Sequence, residues 1–311
     1  MLVAVVRRAR KPDLINIQIT TIQTLRRLVV QIYHLTFQIA RNARAGSTAS
    51  CLIKGIQCKG MAGPNTRDIH VAPDDVAISH GRKLDGRFFY RYKNIILPRL
   101  CPSSSIEALG QKTFSDDDII VLGYPRSGST WTMDMVQMLI NCDFSELERN
   151  TNFKFRVDAL ELDFAPAYNG TTYHKLLDTV RKPRQLRTHL AYDFLPLHMF
   201  HTKARFIHIT RNPKDVLVSL FHFYRSNKDL LGQWPGTWAE YFDMFLNKEL
   251  VYGDWFDHTR GFWERRHNSR MLTLRYEEML SNPCETVQNL AEFLEIPKSD
   301  EDIAKIDPHR Q

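Results

Sequence analysis

The sequence predicts an α/β fold: a mostly parallel sheet with helices on both faces, built around a P-loop-like strand–loop–helix unit. Three observations predict it. An apolar run at Ile119–Leu122 leads through a small-residue loop into an apolar-periodic segment, Trp131–Ile140. A second apolar run, ending at Thr210, passes into a well-capped helix start. From Ile119 onward, strand patterns alternate with helical ones, which favours crossover connections and parallel pairing.

The first unit carries most information. Strand, loop and helix in this order aim free backbone N–H groups and the positive end of a helix dipole at an anion. Gly128 lets the backbone approach a phosphate closely, and Ser127, Ser129 and Thr130 supply hydroxyl donors. Gly123 and Gly128 have the spacing of the nucleotide-binding G-x-x-x-x-G-K-[ST] loop, yet Ser129 stands where that loop needs Lys. The cation sits inside the loop instead, as Arg126. A phosphorylated ligand is the expectation; a βα turn that binds nothing is the alternative.

Gln185–Leu190 reads as a short strand, in which Arg187 and His189 share a face. An imidazole with an ordinary pKa of about 6.5 can take a proton from an attacking hydroxyl at neutral pH. In the segment Ala204–Ser219, Asn212 suits an N-cap, Pro213 the first helical position and Asp215 the first turn. Arg211 is thereby placed at a strand's C-terminal end, with Ser219 roughly two turns into the helix. Further on, Gly253–Trp263 reads as a helix whose aromatics make core. Met271–Met279 reads as a strand running into a helix start that contains Tyr276.

Taken in order, these segments resemble the motifs of the cytosolic sulfotransferases: Y-P-K-S-G-T-T-W at Tyr124–Trp131, K-T-H-L-P at Arg187–Leu190, R-N-P-K-D-x-x-x-S at Arg211–Ser219 and L-x-Y-E-D/E at Tyr276. The resemblance extends from about Gly81 to Asp307 and includes G-x-W-x-x-H-x-x-x-(F/W)-W at Gly253–Trp263. It implies transfer of a sulfuryl group from 3′-phosphoadenosine 5′-phosphosulfate (PAPS) to a hydroxyl or amine of a small, apolar acceptor, without a metal. It assigns Arg126, Ser127, Gly128, Ser129 and Thr130 to the 5′-phosphosulfate, Arg211 and Ser219 to the 3′-phosphate, and Trp131 and Tyr276 to the adenine. His189 is then the general base, with Arg126 and Arg187 offsetting charge on the transferring group. Phe88, Phe89, Tyr90, Phe153 and Phe155 line an acceptor pocket or belong to core.

The chain departs from that family in two places. Arg126 replaces a Lys, which keeps the charge but removes any proton-donating role, since guanidinium pKa values lie above about 12. After Ser299–Ile306 the chain ends at Gln311, where the family continues into an R-K-G-x-x-G-D-W-K lid and a K-x-x-x-T-V dimerisation stretch. The expectation is therefore a domain, 81–311, without the cofactor lid, acting as a monomer. A PAPS-binding protein without turnover is the alternative.

Composition constrains the rest. The net charge of +7 is uneven: residues 1–60 hold ten Lys or Arg and one acid, Asp13, so that segment is +9 and the remainder −2. The basic balance is thus no sign of nucleic-acid binding by the domain. Residues 1–60 read as a basic amphipathic extension, either transit-like or a misassigned start, and 61–80 as a linker. Five scattered cysteines favour a reducing compartment, and no apolar run reaches the roughly 18 residues needed to span a bilayer. The cytoplasm is the expected location, with the mitochondrion as the alternative if the extension acts as a transit segment.

Overall fold

The computed structural model describes residues 74–141, 156–157, 159–163, 177–180, 182–227 and 237–306. The expectations for residues 1–60, and those for Phe153 and Phe155, lie outside the described residues. Two short antiparallel pairs come first: β1 (Val76–Ala77) with β2 (Lys83–Leu84), and β3 (Phe89–Tyr92) with β4 (Ile95–Pro98). Val76 is buried, and the Ser79 N–H and hydroxyl both donate to Glu249 Oε1, at 2.7 and 2.8 Å. Residues 76–80, expected in a linker, are therefore part of the folded unit. Two hydrogen bonds to one carboxylate and a buried valine hold them there.

The main body follows: α1 (Ser103–Leu109), β5 (Ile119–Leu122), α2 (Ser129–Asn141), β6 (Arg156–Val157), β7 (Gln185–Thr188), β8 (Arg205–Thr210), α3 (Pro213–Ser226), α4 (Trp238–Leu246), α5 (Trp255–Trp263), β9 (Met271–Arg275), α6 (Tyr276–Ser281), α7 (Pro283–Leu294) and α8 (Asp300–Ile306). Five strands form one sheet in the order β6-β7-β5-β8-β9, with every neighbouring pair parallel. The sequence of β5 explains its central place. All four of its residues are apolar and all are buried, as a strand covered on both faces requires.

Alternation divides those four residues between two cores. Ile119 and Val121 join Met133, Val136 and Leu139 of α2 with Val287 and Leu290 of α7. Ile120 and Leu122 join Leu217 and Leu220 of α3 with Phe262 of α5. The period of two sends successive side chains to opposite faces, which places helices on both sides of the sheet. Phe89 lies in the second of these cores, tilted against Tyr224, so the aromatic run at 88–90 serves packing.

At the foot of the sheet, Asp118 and Arg184 immediately precede β5 and β7. Arg184 Nε and Nη2 donate to the two Asp118 carboxylate oxygens at 2.8 and 2.6 Å, and the remaining donors reach Leu177 O and Thr113 O. The Asp118 side chain is 0% exposed and that of Arg184 5%. At this depth an unpaired charge would be strongly destabilising, so the bidentate pairing and the extra carbonyls are what make the burial tolerable. At the opposite end, β5 is flanked by β7 on one side and β8 on the other, the strand order at which α/β sheets place ligands above the strands' carboxyl ends. Among the described residues no helix is long and apolar enough to cross a membrane.

Candidate active site

The loop after β5 is compressed from one side. A Cβ on Gly123 would lie 2.7 Å from Ile209 Cγ2 and 2.9 Å from Ile209 O. Gly128 has φ +109°, and a Cβ there would lie 2.6 Å from Tyr276 Cδ2. Only glycine fits at either point. Between them Arg126 adopts a left-handed φ of 71°, uncommon for a residue with a side chain. Its carbonyl accepts from Arg211 Nη1 at 3.0 Å, its Nε donates to Ser219 Oγ at 3.1 Å, and its guanidinium lies 4.9 Å from the Phe223 ring centre. Ser219 and Phe223 are one turn apart on α3, so one helix face receives the whole side chain.

Arg211 leaves the top of β8, and α3 then starts as its residues dictate. Asn212 Oδ1 accepts from the Lys214 N–H at 3.0 Å, and Pro213 takes the first helical position. The Arg211 guanidinium lies 4.2 Å over the ring of Tyr276, the first residue after β9. Trp131 meets that same ring edge-on at 5.9 Å. Two polar atoms here are buried without a hydrogen-bond partner, Ser127 Oγ and Arg211 Nε. Each such atom costs about 1–3 kcal/mol in a protein interior. Ligand oxygens would satisfy both, so these donors fit an anion.

His189, the expected base, stands across the loop. Leu122 and Thr188 are in register, which brings His189 beside Gly123. His189 Nδ1 lies 2.6 Å from Gly123 O. A carbonyl only accepts, so Nδ1 carries the proton and Nε2 keeps the lone pair. Burial, and then the Arg187 cation, push the imidazole pKa down to about 3, so it is neutral at pH 7. Arg187 Nη1 donates to Thr130 Oγ1 at 2.8 Å, tying β7 to the first turn of α2. The structure thus gathers the residues singled out in sequence at the carboxyl ends of β5, β7, β8 and β9. One division differs from expectation: Arg126 and Ser219, assigned to opposite ends of the cofactor, touch each other.

A profile for the Sulfotransferase domain matches residues 116–311. The chain belongs to the sulfotransferase family. Sulfotransferase 1B1 of Mus musculus is 36% identical over 192 residues, covering 62% of this chain and 63% of the relative. Sulfotransferase 1C2 of Rattus norvegicus is 36% identical over 191 residues, covering 61% and 62%. The match therefore spans less than two thirds of these relatives' length. Among solved structures, mouse sulfotransferase SULT7A1 complexed with PAP aligns at TM-score 0.59 and 29% identity, over 72% of this chain and 74% of its own. Retinol dehydratase in complex with androsterone and inactive cofactor PAP aligns at TM-score 0.60 and 22% identity, over 71% of each chain, and supports the fold.

In this sulfotransferase-family site the base has supports that sequence reasoning missed. Glu161 is 0% exposed. Its Oε1 accepts from the His189 N–H at 3.0 Å and its Oε2 from Thr188 Oγ1 at 2.8 Å, while the Tyr252 hydroxyl lies 3.4 Å from Oε1. Thr188 Oγ1 itself accepts from the Leu190 N–H at 3.1 Å, so its own proton is free to face the carboxylate. Burial raises the Glu161 pKa, opposed by these donors and by the Arg187 charge. His258 Nε2 donates to His189 O at 3.0 Å, and burial holds its pKa down to about 4. The one clue to Glu161 was a lone acid within the apolar run Ala159–Leu162, which must find donors once buried. His258 was hidden in a helix read as core, and Trp255 and Phe262 are indeed core.

Proposed function

We propose that this chain transfers a sulfuryl group from PAPS to the hydroxyl or amine of a small, apolar acceptor. The observation that carries the proposal is the meeting of an anion cradle and an oriented neutral imidazole at adjacent strand ends. Ser127 Oγ, Arg211 Nε and the loop leading into α2 suit phosphate oxygens. Trp131 and Tyr276 offer flat apolar surface for a purine. The PAP bound by the mouse relative supports the same choice of nucleotide.

His189 Nε2 takes the acceptor's proton as the acceptor oxygen or nitrogen attacks sulfur. The bond between sulfur and the 5′-phosphate oxygen breaks, and the electron pair departs with the nucleotide. Arg187, and Arg126 once its guanidinium turns from Ser219 and Phe223, offset negative charge on the sulfuryl oxygens, an electrostatic effect that needs no proton from a guanidinium. The odd number and scattered spacing of the five cysteines support the cytoplasm as its compartment.

The test is radiolabelled PAPS with purified protein and a panel of phenols, steroids, aliphatic alcohols and amines. Labelled product should form together with an equal amount of PAP. Saturable PAPS binding with no labelled product from any acceptor would reduce the chain to a nucleotide-binding protein and overturn the proposal.

A further inference from the structure

Tyr124 joins the anion loop to the base pocket by a route outside the site itself. The side chain is buried, and its hydroxyl lies 3.0 Å from Val251 O and 2.9 Å from Gly253 O. One phenolic proton is thus shared between the two carbonyls that flank Tyr252. Tyr252 is left-handed, at φ 65°, and Gly253 follows at φ 81°. A Cβ disfavours that conformation, and a bulky aromatic residue there marks a backbone held by its surroundings.

What that conformation does is aim the Tyr252 side chain. Its ring stands edge-on to the His189 imidazole with centroids 5.7 Å apart. Its hydroxyl sits 3.0 Å from Cys101 Sγ and 3.4 Å from Glu161 Oε1, the oxygen that also holds the His189 N–H. The Tyr252 N–H is anchored on Ile96 O at 2.9 Å. The Tyr124 ring, for its part, stands edge-on to His258, which donates to His189 O. Tyr124 therefore holds the turn that carries Tyr252 through its hydroxyl and meets His258 through its ring.

We propose that Tyr124 is a positioning residue: its hydroxyl holds the 251–253 turn left-handed, so that Tyr252 buttresses His189 while the anion loop is in place. The placement of the loop and the geometry of the base are thereby linked through Val251 and Gly253. Freed of the hydroxyl, the turn relaxes toward an ordinary backbone, the Tyr252 ring withdraws, and the imidazole gains solvent. The inference rests on His189 being the base, and its test is chosen to read the imidazole without turnover.

Imidazole nitrogen NMR of histidine-labelled full chain reports tautomer and titration, with His189→Gln assigning the signal. In the parent protein His189 should show one Nδ1–H tautomer and no titration between about pH 5 and 8. Tyr124→Phe keeps the ring and removes only the hydroxyl. It should give mixed tautomers and a midpoint moved toward about 6.5. Turnover should fall about ten- to a hundred-fold, with PAP affinity within about two-fold. Tyr252→Leu, which removes the buttress and leaves Tyr124 intact, should produce the same spectral change by an independent route. Parent-like tautomer and titration in either folded variant overturns the proposal. The spectral change in a chain that makes no sulfated product supports it and counts against the transfer reading alone.

Discussion

The two halves of the site start from the same strand ends and are finished in opposite ways. On the β7 side the Nδ1–H, backbone N–H and carbonyl of His189 all have partners, which leaves Nε2 as its open position. On the β8–β9 side, Ser127 Oγ and Arg211 Nε are buried with no partner, and the Arg126 and Arg211 guanidiniums rest on aromatic faces. The first half presents one oriented imidazole nitrogen, which suits the proton transfer proposed for it. The second holds hydrogen-bonding capacity open to a ligand. Chemistry and cofactor affinity should therefore respond to different substitutions.

The largest expected effect breaks the base half alone. His189→Ala should lower turnover by about 10²–10⁴ while PAP affinity, followed by calorimetry, stays within a few-fold. Retention of more than about a tenth of the activity would exclude the general-base role.

Acid should have the next largest effect, on stability. His208 and His258 are each 1% exposed, and burial holds their pKa values down to about 3 and about 4. Their folded values lie below the ordinary 6.5 of an unfolded chain. The neutral forms are fully compatible with the fold above that pH, and stability is lost as pH falls toward the folded values. The loss reaches up to about 1.4 kcal/mol per pH unit for each group, or about 3 for the pair. Urea unfolding between about pH 7 and 5 should show a falling midpoint at constant slope. Guanidiniums do not titrate there, so a flat midpoint would mean that the two imidazoles are not buried in neutral form.

A smaller effect sharpens the second half. Arg211→Ala should weaken PAP by the worth of a charge-assisted hydrogen bond, about 1.5–3 kcal/mol, and leave the melting temperature unchanged or slightly higher. Adenosine 5′-phosphosulfate, which lacks the 3′-phosphate, should lose much less. Equal losses for both nucleotides would assign Arg211 to folding.

The same contrast explains what the sequence made legible. The anion half is local: a loop, a capped helix start and a strand end each lie in consecutive residues, so Gly128, Arg211, Ser219 and Tyr276 could be singled out through the motifs they resemble. The base half is tertiary. Glu161 comes from one stretch and Tyr252 and His258 from another about ninety residues on, and each is an ordinary residue until the fold brings it to His189. Arg126 lay between these cases. Its charge was readable, but its resting place on Ser219 and Phe223 depends on a left-handed backbone that no residue-type preference announces. The folded start was similarly hidden, because Val76 and Ser79 sit in a polar stretch whose partner, Glu249, is 170 residues away.

The ion pair at the foot of the sheet bears on the imidazole at its head. Asp118 and Arg184 occupy equivalent rows of two parallel strands, and Gly123 and His189 occupy equivalent rows five residues later. Five rows of strand make about 16 Å. Locking the lower row locks the upper one, because a parallel ladder transmits its alignment without loss. A slip of one residue would also turn every β7 side chain to the other face and carry the imidazole away from the loop carbonyl. The salt bridge thus works as an alignment pin: the hydrogen bond that selects the tautomer of His189 is indexed from the far end of the strands, by two buried residues about 16 Å from the imidazole.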